Sequence, residues 1–402
     1  MKKIIFFGLL LATGCVGSIE SGPDDNSTTP GFSFDTSSQT DVLLECNASS
    51  KIYFEIYDTI PDDDVQPLFA SYTDEAGRFS ERLTLPAYLD NVYFNLPDGT
   101  VPTVIAAKKT NGAINAAYTG NRAAITPKST RTGTEKTVRT LEGFYAFEDL
   151  WPSKGDYDMN DVVIKVERET LFTSAKAEKF AYLLTIYSTY TTGLNNGLGI
   201  HWRNGDQKYY GGGAFPEEYT ISRTGNDNFE PYKLADEQIH FPLVERNEGR
   251  GTQRYYVLLT DNVKHEAGNT FKITFKNDFT NDGFSNSNNF EGFSVFLYRN
   301  QGTDITANGQ KEIHLTNEYP SELIDTDYFG KGIDCSSLEI PIFYATKENY
   351  PFAIFLAGAT DADAAKLIDP ANEKRAIDQV YAGYLEWVKS NGETNTDWYK
   401  KQ

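Results

Sequence analysis

Phe147-Glu148-Asp149-Leu150-Trp151-Pro152-Ser153-Lys154-Gly155-Asp156-Tyr157-Asp158-Met159-Asn160-Asp161-Val162-Val163-Ile164 is the stretch around which the chain is organised. It crowds Glu148, Asp149, Asp156, Asp158, Asn160 and Asp161 together, then turns abruptly apolar. Asp156, Asp158 and Asn160 alternate with Tyr157 and Met159. In a tight loop these alternate oxygens converge; in a strand they share one face, because side chains repeat every two residues. Carboxylates that close repel unless they are protonated or bridged by a cation. Ca²⁺ fits, since it takes six to eight oxygens from carboxylates, amides, carbonyls and water. Downstream, Val162, Ile164 and Val166 alternate with Val163, Lys165 and Glu167. The acidic loop therefore runs straight into a strand with one buried face, and an ion at its start fixes the loop to the core.

Residues 180–191, 255–260, 270–275, 292–298 and 311–315 read as further strands, rich in aromatic and β-branched side chains. Asn195-Asn196-Gly197 and the run Gly211 to Gly213 mark turns, and 281–289 is a polar loop. One segment has helical period: Ile377, Val380, Tyr381, Tyr384, Leu385 and Val388. A helix is expected over 371–390, with Asp369-Pro370 as cap and first turn and Asn391-Gly392 as stop. Trp387 and Trp398 are expected to pack this aromatic face onto the sheet.

Working backwards, residues 119–140 are rich in Thr, Arg, Gly and Lys and read as a linker. Residues 42–118 read as a small β-sandwich: Ile52, Phe54 and Ile56 alternate with Tyr53, Glu55 and Tyr57. Thr73-Asp74-Glu75-Ala76-Gly77 reads as a hairpin turn with glycine at positive φ. Asp62-Asp63-Asp64 reads as a solvated loop tip. The fold class expected is mainly β, with two antiparallel sandwich-like domains, 42–118 and 141–402, the larger carrying a C-terminal helix.

Met1-Lys2-Lys3, an apolar run from Ile4 to Ala12 and Thr13-Gly14-Cys15 make a secretory signal over 1–15. The run is too short to span a bilayer. Residues 16–41, with Asp24-Asp25, hold too little apolar area to fold and are expected to form a flexible tether. The formal net charge of -20 argues against nucleic acid, which demands basic surface. Cys46 and Cys335 either pair, in an oxidising compartment, or are small buried residues. No Cys/His cluster suggests zinc.

There is no Gly-x-Ser-x-Gly elbow, no His-Glu-x-x-His and no phosphate loop, so no enzyme is expected. His201, His240, His265 and His314 are scattered, and a Glu312–His314 pair on one strand face is expected to be structural. The acidic loop is not an EF-hand: no Gly follows Asn160 and no Glu closes a twelve-residue loop.

Four resemblances add to this reading. Leu11-Ala12-Thr13-Gly14-Cys15 resembles a bacterial lipoprotein signal, which implies that Cys15 carries lipid and anchors the chain to the outer membrane. Asp24-Asp25 after it resembles the export tag of surface-exposed lipoproteins in Bacteroides-like bacteria; display on the outer leaflet and retention facing the periplasm both remain open. Thr73 to Phe79 resembles the turn of prealbumin-like stalk modules. The acidic phrase, with Glu312-Ile313-His314-Leu315, Tyr350-Pro351-Phe352-Ala353-Ile354 and Trp387 to Tyr399, resembles the LruC-domain lipoproteins. That resemblance implies a β-rich exported lipoprotein without an assigned activity. The expectation is a lipid-anchored surface protein with a Ca²⁺-stabilised β domain that binds glycan, matrix or a protein partner. The ligand set is Asp149, Asp156, Asp158, Asn160 and Asp161, with Glu148 as an alternative. A polysaccharide hydrolase and a purely structural envelope subunit are the alternatives.

Overall fold

The computed structural model describes residues 34–62, 64–97, 103–118, 136–173, 176–190, 195–203, 219–233, 237–238, 253–276, 293–299, 309–321, 323–338 and 342–401. The signal sequence, Cys15, the glycines at 211–213, His240 and the loop at 281–289 lie outside them.

The smaller domain holds β1 (Ser37–Cys46), β2 (Tyr53–Tyr57), β3 (Phe69–Tyr72), β4 (Arg78–Pro86), β5 (Asn91–Leu96), β6 (Thr103–Thr110) and β7 (Ala113–Tyr118). Their order is β3-β2-β5-β6-β7-β1-β4, antiparallel except for the parallel pair β1–β7. Phe54 on β2 and Phe79 on β4 lie near opposite ends of this order, yet their rings meet at 4.8 Å. The sheet must therefore curl so that its two ends face each other across one core, which contains Leu44, Phe54, Phe79, Leu83 and Phe94.

The turn at Asp74 forms as its residues dictate. The Asp74 carboxylate accepts from the amides of Ala76 and Arg78, and Gly77 sits at φ 79°. It does not join a hairpin, however: β3 pairs with β2, while β4 pairs with β1. The turn carries the chain across the sandwich. Packing of Phe69 against Phe79 at 5.6 Å decides this, a long-range contact that turn chemistry cannot encode.

The larger domain contains β8 (Lys136–Phe147), β9 (Val162–Thr173), β10 (Lys176–Thr189), β11 (Gly197–Arg203), β12 (Tyr219–Arg223), β13 (Tyr232–Lys233), β14 (Glu237–Gln238), β15 (Gln253–Thr260), β16 (Thr270–Lys276), β17 (Phe293–Arg299), β18 (Lys311–Ile313) and β19 (Ala353–Ala357). One sheet runs β12-β16-β10-β9-β8-β19 and the other β13-β15-β11-β17-β18, with β14 beside β15. Ile164, Leu184 and Ile273 of the first pack with Ile200, Val257 and Val295 of the second in one core, so the sheets stack face to face.

The first sheet is buried on both faces. Phe144, Ala146, Val163, Ile354 and Leu356 point the other way, into a second core shared with the C-terminal segment. That is why Val163, expected on the solvent side, is fully buried.

The single helix expected over 371–390 is two short ones, α2 (Ile377–Val380) and α3 (Tyr384–Lys389), and a further short helix, α1 (Asp361–Leu367), precedes them. Thr360 opens α1 with a reciprocal capping box to Asp363, a start signal that lies upstream of the expected one. Asp369-Pro370 makes a turn instead, with Asp369 accepting from Ala371 N. Lys374 then adopts φ 64°, and Lys374 N and Ile377 N both donate to the acidic loop. Tyr381 leaves helical geometry so that its ring meets Trp398 edge-on at 5.1 Å. Tertiary contacts thus override a helical period. The stop holds: Asn391 and Gly392 are left-handed. Trp387 and Trp398 are fully buried packing anchors.

Residues 34–41, expected as tether, are folded. Thr36 N donates to Phe355 O and Phe355 N to Phe34 O, so the chain enters beside β19 before starting β1. Phe34 packs on Trp387 at 5.0 Å. Likewise β8 begins at Lys136, inside the expected linker, and Phe172 stacks edge-on with Tyr72 at 5.5 Å and lies 6.0 Å from Tyr53. Cys46 is buried in the small core and Cys335 in the larger domain.

Candidate metal site

Strands β8 and β9 pair antiparallel down to Phe147 opposite Val162, so residues 148–161 form one closed loop whose feet adjoin. Within it Gly155, Tyr157 and Met159 take left-handed conformations, φ 63°, 62° and 57°. For Tyr and Met this costs on the order of 1 kcal/mol or more each. The alternation sends Tyr157 and Met159 into the core under the helices. Asp156, Asp158 and Asn160 occupy the intervening positions. The Tyr157 hydroxyl donates to Pro351 O at 2.5 Å, and Ile377 N donates to Tyr157 O at 2.8 Å. The loop is thus pinned by the segment before β19 and by α2.

Carboxylate oxygens of Glu148, Asp149 and Asp161 lie within 4.8 Å of one another, as do those of Glu148, Asp156 and Asp158. Glu148, Asp149 and Asp158 are buried, Asp161 is half-buried and Asp156 is exposed. Part of this acidity is satisfied by the protein. Glu148 Oε2 accepts from Tyr157 N at 2.9 Å, and Asp161 Oδ2 from Asp149 N at 2.8 Å. Asp158 Oδ2 accepts from Lys374 N at 2.9 Å, and Asp149 Oδ2 from Asn196 Nδ2 at 2.6 Å.

The rest is not satisfied. Glu148 Oε1, Asp158 Oδ1 and both polar atoms of the Asn160 side chain are buried without a hydrogen-bond partner. Among the described residues no Lys, Arg or His forms an ion pair with any of these carboxylates. Gly155 makes room for Glu148: a Cβ there would stand 1.9 Å from Oε1.

The electrostatic consequence is large. Burial, then Asp161, Asp156, Asp158 and Asp149, push the Glu148 carboxyl up to about 10. Burial and Asp149 push Asp161 to about 7. Burial raises Asp158 against the Lys374 amide. Burial and mutual repulsion favour protonation of the cluster; a dication would take the place of those protons. Its hard oxygen donors, with no sulfur or imidazole, suit Ca²⁺ or Mg²⁺ over zinc or copper.

The structure brings together five of the six expected side chains, with Glu148 at the centre, where the sequence reading had it as the alternative. Asn160 is buried in the loop beside them. Sequence reasoning missed Asn196 and the amides of Tyr157 and Lys374. In sequence Asn196 reads only as part of a turn, and the Lys374 amide comes from a segment with helical period.

A second buried acid cluster lies on β18. Glu312 and His314 are fully buried, with His314 Nε2 2.8 Å from Glu312 Oε2. Ser321 N donates to the same oxygen at 2.7 Å, while Gln310 Nε2 and Ser321 Oγ donate to Oε1. His314 stacks on Phe296 at 4.4 Å. Burial raises the Glu312 carboxyl, but His314 and Ser321 together hold it below the ordinary range. Both Glu312 oxygens thus have donors within the chain, as a structural pair requires, while Gln310 Oε1 has no partner.

A family model described as a domain of unknown function (DUF4842) matches residues 227–399, and a second (DUF8469) matches residues 39–118. The loop at 148–161 lies outside both. No curated protein matches. The Corynebacterium diphtheriae major pilin SpaA is similar at 9% identity over 65% of this chain and 69% of the pilin, with a TM-score of 0.16. The T6 backbone pilin of serotype M6 Streptococcus pyogenes is similar at 9% identity over 66% of this chain and 57% of its own, with a TM-score of 0.14. Superposition that poor sets no shared topology, and no function is taken from it. Among the described residues no helix is long and apolar enough to cross a membrane.

Proposed function

We propose that this chain is an exported, lipid-anchored cell-surface protein of the LruC kind, whose larger β domain is locked by calcium and which works by binding or adhesion. The observation that carries the calcium reading is Glu148. It is fully buried among four other carboxylates, and its Oε1 has no donor. A bound dication supplies the charge that no described side chain supplies, and it offsets the cost of the left-handed residues that form the loop. Its role is structural: the loop ties β8 and β9 to α2 and to the segment before β19. The lipid anchor rests on the signal ending at Cys15, and the binding role on an acidic surface and a domain without a catalytic motif. The partner class is a glycan, a matrix component or another protein.

Thermal unfolding of the full chain, carrying Cys15→Ser to keep it free of lipid, tests the calcium reading. The midpoint is expected to rise with millimolar Ca²⁺ over chelator, and the rise to shrink in Asp156→Ala with Asp158→Ala. No rise in the parent protein removes the reading. A glycan array run beside a polysaccharide hydrolysis screen separates a binder from an enzyme: product release by the parent protein would overturn the binding role.

A further inference from the structure

We infer that the loop at 148–161 is a two-ion site in which Glu148 bridges a pair of calcium ions, one held with Asp149 and Asp161 and the other with Asp156 and Asp158. This rests on the calcium reading above and sets its stoichiometry.

The geometry gives the first argument. Ca²⁺ binds oxygen at roughly 2.3–2.6 Å, so ligands of one ion stand at most about 5 Å apart. The carboxylates satisfy that limit as two triads, not as one group of five, and only Glu148 belongs to both. A single ion therefore reaches one triad and leaves the other pair bare. Glu148 has the capacity to bridge: Oε1 has no partner, and Oε2 spends one lone pair on Tyr157 N.

Charge gives the second argument. The five carboxylates carry -5 when ionised. One dication leaves -3 in a loop where no described side chain of opposite charge pairs with them; two leave -1. The residual charge of a one-ion site would fall on buried Asp149 with half-buried Asp161, or on exposed Asp156 with buried Asp158, depending on which triad is filled.

The third argument is the distribution of orphaned atoms. Glu148, whose Oε1 is orphaned, is common to both triads, while Asp158, whose Oδ1 is orphaned, belongs to the second. The first triad is held from outside by Asn196 on Asp149, the second by Lys374 N on Asp158. The two halves thus have separate supports, which is what separately filled subsites require.

Native mass spectrometry and calorimetric titration of the full chain (Cys15→Ser) with Ca²⁺ alone count the ions. Two per chain is expected. A count of zero overturns the calcium reading itself; a count of one leaves that reading standing and overturns this inference. Asp156→Asn with Asp158→Asn is expected to lower the count from two to one, since Asp149, Asp161 and Glu148 remain; retention of two, or a fall to none, overturns the bridge. Glu148→Gln is expected to weaken both ions by tenfold or more. Should that variant fail to fold by circular dichroism, Asp149→Asn with Asp161→Asn serves instead, again with one ion expected and two or none counting against the bridge.

Discussion

Glu148 and Glu312 are the same residue type, and both are fully buried, yet their surroundings are opposite. Glu312 is met by donors on both oxygens, from His314, Gln310 and the amide and hydroxyl of Ser321, and its carboxyl is held below the ordinary range despite burial. Glu148 receives one amide, from Tyr157, and faces four further carboxylates, which with burial push it up to about 10. Burial alone therefore says nothing about function. A buried acid whose partners are all in the chain is finished structure. A buried acid whose partners are missing from the chain points to something bound.

The comparison breaks most visibly at Glu312. Glu312→Ala removes the acceptor that His314, Gln310 and Ser321 share in the core, and should cost about 3–5 kcal/mol of folding stability. Urea unfolding checks this, and the loss should be the same in calcium and in chelator. A loss that depended on calcium would mean that the two clusters are not separate.

Glu148→Gln should behave differently, with a sign that depends on the medium. In chelator the variant loses a carboxylate that its neighbours repel, so it should be as stable as the parent or more so. In excess calcium it should be less stable by about 2–3 kcal/mol, the stabilisation given by free ligand at some hundredfold over its dissociation constant. Equal destabilisation in both media would place Glu148 with Glu312 and abolish the contrast.

Asn196 tests how far the site depends on residues outside the loop. Its amide donates to Asp149 Oδ2 at 2.6 Å from β11's entry, across 47 positions of sequence. Asn196→Ala should cost roughly 1.5–2 kcal/mol, as loss of a bond to a charged group does, and weaken calcium about tenfold. Fluorescence-detected unfolding with a calcium titration reads both. An unchanged calcium midpoint would confine the site to the loop itself.

How much of this was legible follows from what each feature depends on. The acidic loop and the strand leaving it are local: alternation in Val162 to Glu167 and density of oxygen donors need no partner to be read. The sandwich class was legible for the same reason. The C-terminal helix was legible in place but not in extent, because its period is real while its backbone is redirected by Lys374 N and Ile377 N reaching for the loop and by Tyr381 turning onto Trp398. The Asp74 turn shows the same limit. Its geometry was local and formed, but the strands it joins were assigned by Phe69 and Phe79 meeting across the core. Glu148's central role was hidden because no local pattern says which of six neighbours the fold will bury deepest. Phe34 and Thr36 sat in a polar stretch with no period, and only β19, more than 300 positions on, gives them a place.

Asp35 extends the contrast to an intermediate case. It accepts from Ser37 N at 2.7 Å, and burial, opposed by Ser37 and aided by Glu318, raises its carboxyl from 3.8 to about 6. A group raised in the folded state holds a proton there that the unfolded chain has released. Folding is therefore favoured by low pH across this window, and the contribution is lost as pH climbs from about 4 through about 6. Asp35→Asn removes that dependence. The variant should gain about 1 kcal/mol on the parent between pH 4 and pH 7, less than the full conversion of the shift because the residue is only half-buried and water screens it. Groups common to both proteins cancel in the difference, so urea midpoints across that range isolate the one carboxyl. Were the difference flat with pH, Asp35 would belong beside Glu312, satisfied by its donors. Because its sequence neighbours sit at the entry to β1 rather than in the acidic loop, a sloping difference would show that burial with partial satisfaction, and one neighbouring carboxylate in place of four, is enough to move an acid partway toward the state of Glu148.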